Sequence, residues 1–309
     1  MKYLYFNPYL YAILDSLIIG FSFLFSKIAL NYATPFDILA LRFTISFIAL
    51  SGLILFKKIT INYEKKSLLK ICAVALFATA FYGLQTFGLV NASSSECGIL
   101  QPTTPIFTMI LSELILKERT TIWQKVSIVF SVIGVMYIFL MQGTGINFSE
   151  ILGILFVVLS CLSGAFYIVL ARSTLKEVPA TVVSAASIFI GFLSFNIISV
   201  TSHFLKGNFD VFFAPPGNLQ FVLSILYLGI LSCLATSLLG NFALSKINAA
   251  KMSVFGNIRP VTAIFAGVFF LKEQLFYYHI IGTIMIIAGV IGANYTGYGS
   301  AKLTREKKV

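Results

Sequence analysis

Charge is scarce in this chain of 309 residues: Lys, Arg, Asp and Glu make up only 11% of it, against 58% apolar residues. The mean hydropathy of +0.94 is more apolar surface than a water-soluble domain of this length can bury. Histidine occurs twice and cysteine four times. Cys72, Cys97, Cys161 and Cys233 are scattered through apolar runs and form no CxxC pair, which excludes a zinc ribbon and a disulfide framework. There is no Walker A loop, so this chain does not hold ATP as a driving nucleotide, and no HExxH helix marks a metalloenzyme. No metal and no cofactor is expected.

What the chain has in abundance is long apolar runs, ten of them, each near the ~20 residues a helix needs to cross a bilayer. They cover roughly 8–31, 36–56, 69–90, 96–116, 122–141, 150–171, 180–203, 218–240, 248–271 and 276–297. The expected fold is therefore an all-α integral membrane protein with ten transmembrane helices. Gaps such as 91–95 and 272–275 hold no soluble domain and force antiparallel hairpins. No small-residue cleavage pattern follows the first run, so it reads as a span and not as a signal peptide.

The net charge of +11 fits topology better than nucleic acid. With the N-terminus inside, the inner regions hold Lys2, Lys57, Lys58, Lys65, Lys66, Lys70, Lys117, Arg119, Lys125, Arg172, Lys176, Lys246 and Lys251, and the tail adds four more basic residues. The outer gaps hold only Lys206 and Lys272. This bias predicts both termini in the cytoplasm, in a cell membrane (inner or plasma). The lysine-rich tail either touches anionic lipid or serves topology alone.

Two stretches match without a gap at a fixed offset of 155 residues, 95–137 and 250–292. Pro105 aligns with Pro260, Leu116-Lys117-Glu118 with Leu271-Lys272-Glu273, and Gly134-Val135 with Gly289-Val290. At an offset of 144, Gly20 and Pro35 align with Gly164 and Pro179. The chain thus divides into two five-helix repeats, 1–145 and 146–309. Five is odd, so the second enters the membrane inverted. Such repeats suit alternating access around a midplane site; the plainer alternative is a duplication without it.

These features, with Arg42-Phe43 early in the second span and Ser26-Lys27 late in the first, make the chain resemble the EamA-type branch of the drug/metabolite transporter superfamily. The resemblance implies a secondary transporter exporting amino acids or related metabolites. Relatives of the same fold carry drugs, sugars, nucleotide sugars or phosphorylated metabolites. It also implies a cavity lined by the first, third, fourth, sixth, eighth and ninth spans. One departure bears on symmetry: the fourth span carries Pro102 and Pro105, the ninth only Pro260.

Intramembrane charge marks the candidate site, since an arginine or aspartate at a helix centre costs about 2.5–3.5 kcal/mol on insertion scales. Arg259 lies near the middle of the ninth span, just before Pro260. Its guanidinium suits a substrate carboxylate, or else a structural pair with Asp15 or a helix C-terminal carbonyl. Asp15 is read as a carrier of a coupling proton, as the neutraliser of Arg259, or as a residue facing a wet cytoplasmic vestibule. Tyr82, Gln85, Gln101, Thr104, Tyr167 and Asn257 are candidate substrate contacts, each with helix-to-helix hydrogen bonding as the competing role. Pro102, Pro105 and Pro260 are candidate gates or kinks.

Remaining features have ordinary readings. Lys27 and Arg42 snorkel outward, or Arg42 caps neighbouring helix ends; Glu113 pairs near Lys117 or Arg119. His203 and His279 fall at the outer interface as wetted loop residues. Trp123 and Tyr277/Tyr278 occupy matching belt positions. Gly282, Gly289 and Gly292 share one face of the last span, for close packing within the fold or in a homodimer. The expected partners are a small-molecule substrate and membrane lipids. An intramembrane enzyme would need convergent acids, bases or a nucleophile at one depth, where only Asp15 and Arg259 come near; a non-transporting scaffold is the other rival.

Overall fold

The computed structural model describes residues 7–57, 59, 67–91, 103–118, 120–141, 151–206, 218–271 and 276–295. All regular structure among them is helical: α1 Pro8–Leu30, α2 Pro35–Leu55, α3 Leu68–Asn91, α4 Thr104–Leu116, α5 Ile122–Met141, α6 Ile151–Thr174, α7 Ala180–Lys206, α8 Leu219–Lys246, α9 Ala249–Phe255, α10 Ile258–Leu271 and α11 Tyr277–Tyr295. Six of these, α1, α2, α3, α6, α7 and α8, contain stretches long and apolar enough to cross a membrane; α4, α5 and α11 hold shorter apolar segments. Large apolar side chains such as Leu69, Leu114, Ile197, Phe204 and Ile284 face outward, as lipid-facing residues of a membrane protein do.

Helix ends carry local signals. α1 and α2 each begin with a proline, whose missing N–H is not needed in the first turn. Asn7, Thr34, Asn218 and Asn248 cap α1, α2, α8 and α9 through side-chain oxygens. The Leu-Lys-Glu turn after α4 is built on Lys117, whose φ of 54° is left-handed. That residue lets the Lys117 and Glu118 amides turn back onto the Ser112 carbonyl and aims the Glu118 carboxylate away from its own helix.

Helix pairing repeats between the halves. If α1, α2, α3, α4 and α5 are matched with α6, α7, α8, α9–α10 and α11, each cross-half pair has its counterpart. α3 packs on α6 as α8 packs on α1; α1 on α10 as α6 on α4; α3 on α7 as α8 on α2. The pairs α2–α7, α5–α11 and α4–α9 map onto themselves. Gly282 and Gly289 of α11 pack against α5 of the same chain: a Cβ at Gly289 would lie 2.5 Å from the Ser131 Cβ and 2.7 Å from the Ser127 carbonyl oxygen. The small face of the last helix therefore serves packing within the fold.

Candidate functional site

The ninth apolar run is not one helix. α9 stops at Phe255, and the amides of Gly256, Asn257 and Arg259 bond three residues back, to Ser253, Val254 and Gly256 at 3.0, 3.0 and 3.1 Å. α10 then starts at Ile258, with Arg259 and Pro260 in its first turn. The break precedes Pro260, which sits where a helix has no use for its N–H. Pro105 likewise lies in the first turn of α4. The two matched prolines start helices instead of kinking them. Gln101 and Pro102 lie outside the described residues.

Arg259 donates to the Asp15 carboxylate of α1 at 3.3 Å, with the Asp15 side chain 6% and that of Arg259 32% exposed. Glycine makes this pairing possible. A Cβ at Gly20 would strike Thr262 and lie 2.9 Å from the Arg259 carbonyl oxygen, so α1 is pressed against the start of α10. A Cβ at Gly240 of α8 would lie 3.1 Å from the Asp15 carboxylate, so that helix leaves the carboxylate its room. Gly164, the match of Gly20, faces the Phe81 ring of α3, an asymmetry between the halves.

Arg42 does not snorkel. It is buried at 8% exposure and reaches α8, where it donates to the Ser232 carbonyl at 3.2 Å and the Ser232 hydroxyl at 3.1 Å. Ser232 lies in a π-helical stretch, Tyr227–Ala235, that widens α8. Gly229 in that stretch brings α2 close: a Cβ there would meet the Ile45 side chain and the Arg42 carbonyl oxygen. The Arg42 guanidinium also lies 5.2 Å from the Tyr82 ring centroid, a cation–π distance. Tyr82 stands within electrostatic reach of Arg42, Arg259 and Asp15, and Tyr167 within reach of Tyr82, Asp15 and Arg259. Side chains from α1, α2, α3, α6 and α10 thus converge on one region.

Other candidates are engaged in helix-to-helix bonds. Tyr167 donates to Asn241 at 3.1 Å, Asn241 to Ser184 at 2.9 Å, and Ser184 to the Ser237 carbonyl at 2.7 Å, a chain linking α6, α8 and α7. Asn257 donates to Ser131 of α5 at 3.0 Å, which ties the α9–α10 break to the α5–α11 pair. Thr104 lies beside the Cys161 thiol of α6. Gln85, on α3, is half-buried.

Further groupings escaped sequence reasoning. Glu118 accepts from Arg172 at 3.2 Å and from the Ala249 amide at 3.2 Å, and Arg172 also donates to the Leu244 and Ser245 carbonyls at 2.9 and 2.8 Å. This latch joins the α4–α5 turn to the ends of α6 and α8 and the start of α9. At the opposite end Asp37 accepts from Thr34 at 2.6 Å, from Ser199, and meets His203 at 3.0 Å. His203 and His279 are buried, at 6% and 7% exposure, not wetted; His279 accepts from the Phe276 amide at the start of α11. Glu113 pairs with Lys125 at 3.0 Å and accepts from Thr120, its partners lying beyond the expected Lys117 and Arg119. No cluster of three metal-ligating side chains occurs among the described residues.

Comparison with known proteins agrees with this architecture. YcxC, an uncharacterized transporter of Bacillus subtilis, is 45% identical over 93% of this chain and 92% of its own length. An uncharacterized transporter of Archaeoglobus fulgidus is 27% identical over 88% of this chain and 92% of its own. A solved structure shares the fold with a TM-score of 0.77 at 17% identity, over 94% of this chain and 96% of the other. The profile of the EamA-like transporter family matches twice, at residues 7–140 and 151–295. The chain is a membrane protein that belongs to the EamA-like transporter family.

Proposed function

We propose that this transporter carries a small carboxylated metabolite by alternating access, and that Arg259 is the group that binds the carboxylate. The observation that carries the reading is the Asp15–Arg259 pair at the start of α10, beside a broken helix. A guanidinium there adds its charge to the positive end of the α10 dipole, and both favour an anion. Asp15 holds Arg259 in place until substrate arrives. In this reading Asp15 is the counter-ion of Arg259.

In this reading the chain crosses the membrane ten times, as two inverted five-helix halves. The exchange of helix partners between halves supports it. Both termini lie in the cytoplasm of a plasma-membrane-type bilayer, and the basic end of the bundle, with Lys70, Lys125, Arg172 and Lys246, faces inward. Carboxylated metabolites related to amino acids are the solute class, and export is the direction. The substrate-facing set is Arg259, Tyr82, Gln85 and Tyr167, with Thr104 and Asn257 at the matched helix starts; Gln101 belongs to it on its place in the sequence alone.

The test is counterflow in proteoliposomes preloaded with pooled metabolites. Saturable exchange of a carboxylated solute is expected, with Arg259→Ala abolishing it. Unchanged flux and affinity in that variant would remove Arg259 from the site.

A further inference from the structure

Arg42 lies against the Tyr82 ring, and the paired Arg259 and Asp15 stand within electrostatic reach of the same tyrosine. The formal charge of the group is +1. Arg42 is nine-tenths buried and its hydrogen bonds go to neutral acceptors on Ser232. Arg259 has its charge offset by Asp15. Each arginine also keeps a buried Nε with no hydrogen-bond acceptor among the described residues. A buried donor of this kind is rare in a finished core, and both arginines carry one. Among the described residues Arg42 therefore has no carboxylate partner, and its Nε has no acceptor.

The surrounding wall is aromatic. Tyr82 meets Phe43 and Phe81 edge-on, with centroids 5.5 and 5.2 Å apart. A neutral or zwitterionic solute brings no net charge to balance Arg42, and a cation adds to the excess. A dianion overshoots it. Building on the reading of Arg259 as a binding group, we infer that the substrate is a monoanion, a monocarboxylate with an apolar body. Its carboxylate supplies the counter-charge that Arg42 and Arg259 together lack, and its body packs on the Tyr82–Phe43–Phe81 rings.

The experiment measures the thermal stability of the purified full-length protein in detergent against probes of one shape and different charge. These are phenylacetate, phenylacetamide, phenylalanine, phenethylamine and phenylsuccinate. A bound ligand raises the melting temperature according to its affinity. Phenylacetate is expected to bind at least about tenfold more tightly than the amide, the zwitterion or the amine. Selectivity should follow formal charge: Asp15→Asn shifts the preference toward phenylsuccinate, and Arg42→Gln removes the preference for acid over amide. Arg42→Lys, which keeps the charge with fewer donors, retains that preference and guards against a loss caused by misfolding alone.

Equal response to acid and amide, or no response to any acid, overturns the assignment. The two readings fail separately. Metabolite counterflow that survives Arg259→Ala sinks the binding role of Arg259. Indifference to probe charge, with Arg259 still required, sinks only the monoanion.

Discussion

The Asp15–Arg259 pair makes a quantitative prediction that separates a coupled pair from two independent polar residues. At 3.3 Å and an effective dielectric of about 20, the gross attraction is about 5 kcal/mol. Two terms reduce it. Asp15 has lost nearly all its hydration, its side chain being 6% exposed, and that desolvation opposes the pair. Arg259, at 32% exposure, is partly screened. The expected net coupling is about 1–3 kcal/mol. The perturbations are Asp15→Asn, Arg259→Gln and the double variant, each purified in the same detergent and unfolded by heat or by titration with a denaturing detergent. Each single change should destabilise the protein, because it strands the other partner in the bundle. The double change should cost no more than the larger single one, because no stranded charge is left. If the two single effects simply add, with a coupling below about 0.5 kcal/mol, the two residues do not form the pair described here.

Other outcomes follow from contacts elsewhere in the bundle. Glu118→Gln should cost about 1.5–3 kcal/mol by stripping a charged acceptor from Arg172 and the Ala249 amide. It should also speed labelling of an Ala12→Cys reporter by a membrane-impermeant maleimide in a background lacking the native cysteines; unchanged labelling would mean that the latch does not guard that end. Gly289→Ala should destabilise by about 1–3 kcal/mol, since its Cβ would press on the Ser127 carbonyl and the Ser131 Cα, both backbone atoms. Gly52→Ala, where nothing lies within 4 Å, should instead gain about 0.5–1 kcal/mol of helix stability in the same assay. Asp37→Ala should lower the melting temperature more than His203→Gln does, because it leaves Thr34, Ser199 and His203 all without their common acceptor.

Hydropathy alone located the helices, because in lipid an unbroken apolar run has few alternatives to a helix. The misplaced ends share a physical cause. α6 runs to Thr174, α7 to Lys206 and α8 to Lys246, each several residues past the drop in hydropathy. The polar residues that lower the index there are buried against partners from distant parts of the chain. Arg172 meets Glu118, His203 meets Asp37, and Asn241 meets Tyr167 and Ser184. The same limit applies to Arg42. Its position two turns into α2 was visible, but Ser232 on the opposing helix was not, so outward snorkelling and inward burial looked alike. Asp15 and Arg259 were legible as charges at depth, and their pairing was one of the readings open for each. The break at Gly256–Asn257 was masked by Pro260, the more conspicuous residue three positions on.

The position of α9 connects these features. This helix of seven residues begins at Ala249, whose amide is held by Glu118, and ends at Phe255, beside the turn that sets Arg259. At about 1.5 Å per residue its length is about 10 Å, so the latch and the guanidinium stand at opposite ends of one short rigid lever. Glu118 belongs to the first half of the chain and Arg259 to the second. Asn257, at the far end of the lever, is fixed to Ser131 of the α5–α11 pair. Under the proposed alternating access, release of the latch would loosen the near end of α9 while Asn257 stays bound to Ser131, and α9 would pivot about the Gly256–Asn257 turn. Such a rotation would press on the approach of α1 and α8 to the pair, where Gly20 and Gly240 sit at close quarters. The described Leu-Lys-Glu turn then has a mechanical reading: its glutamate holds the start of α9, whose other end abuts the turn that leads into α10 and Arg259.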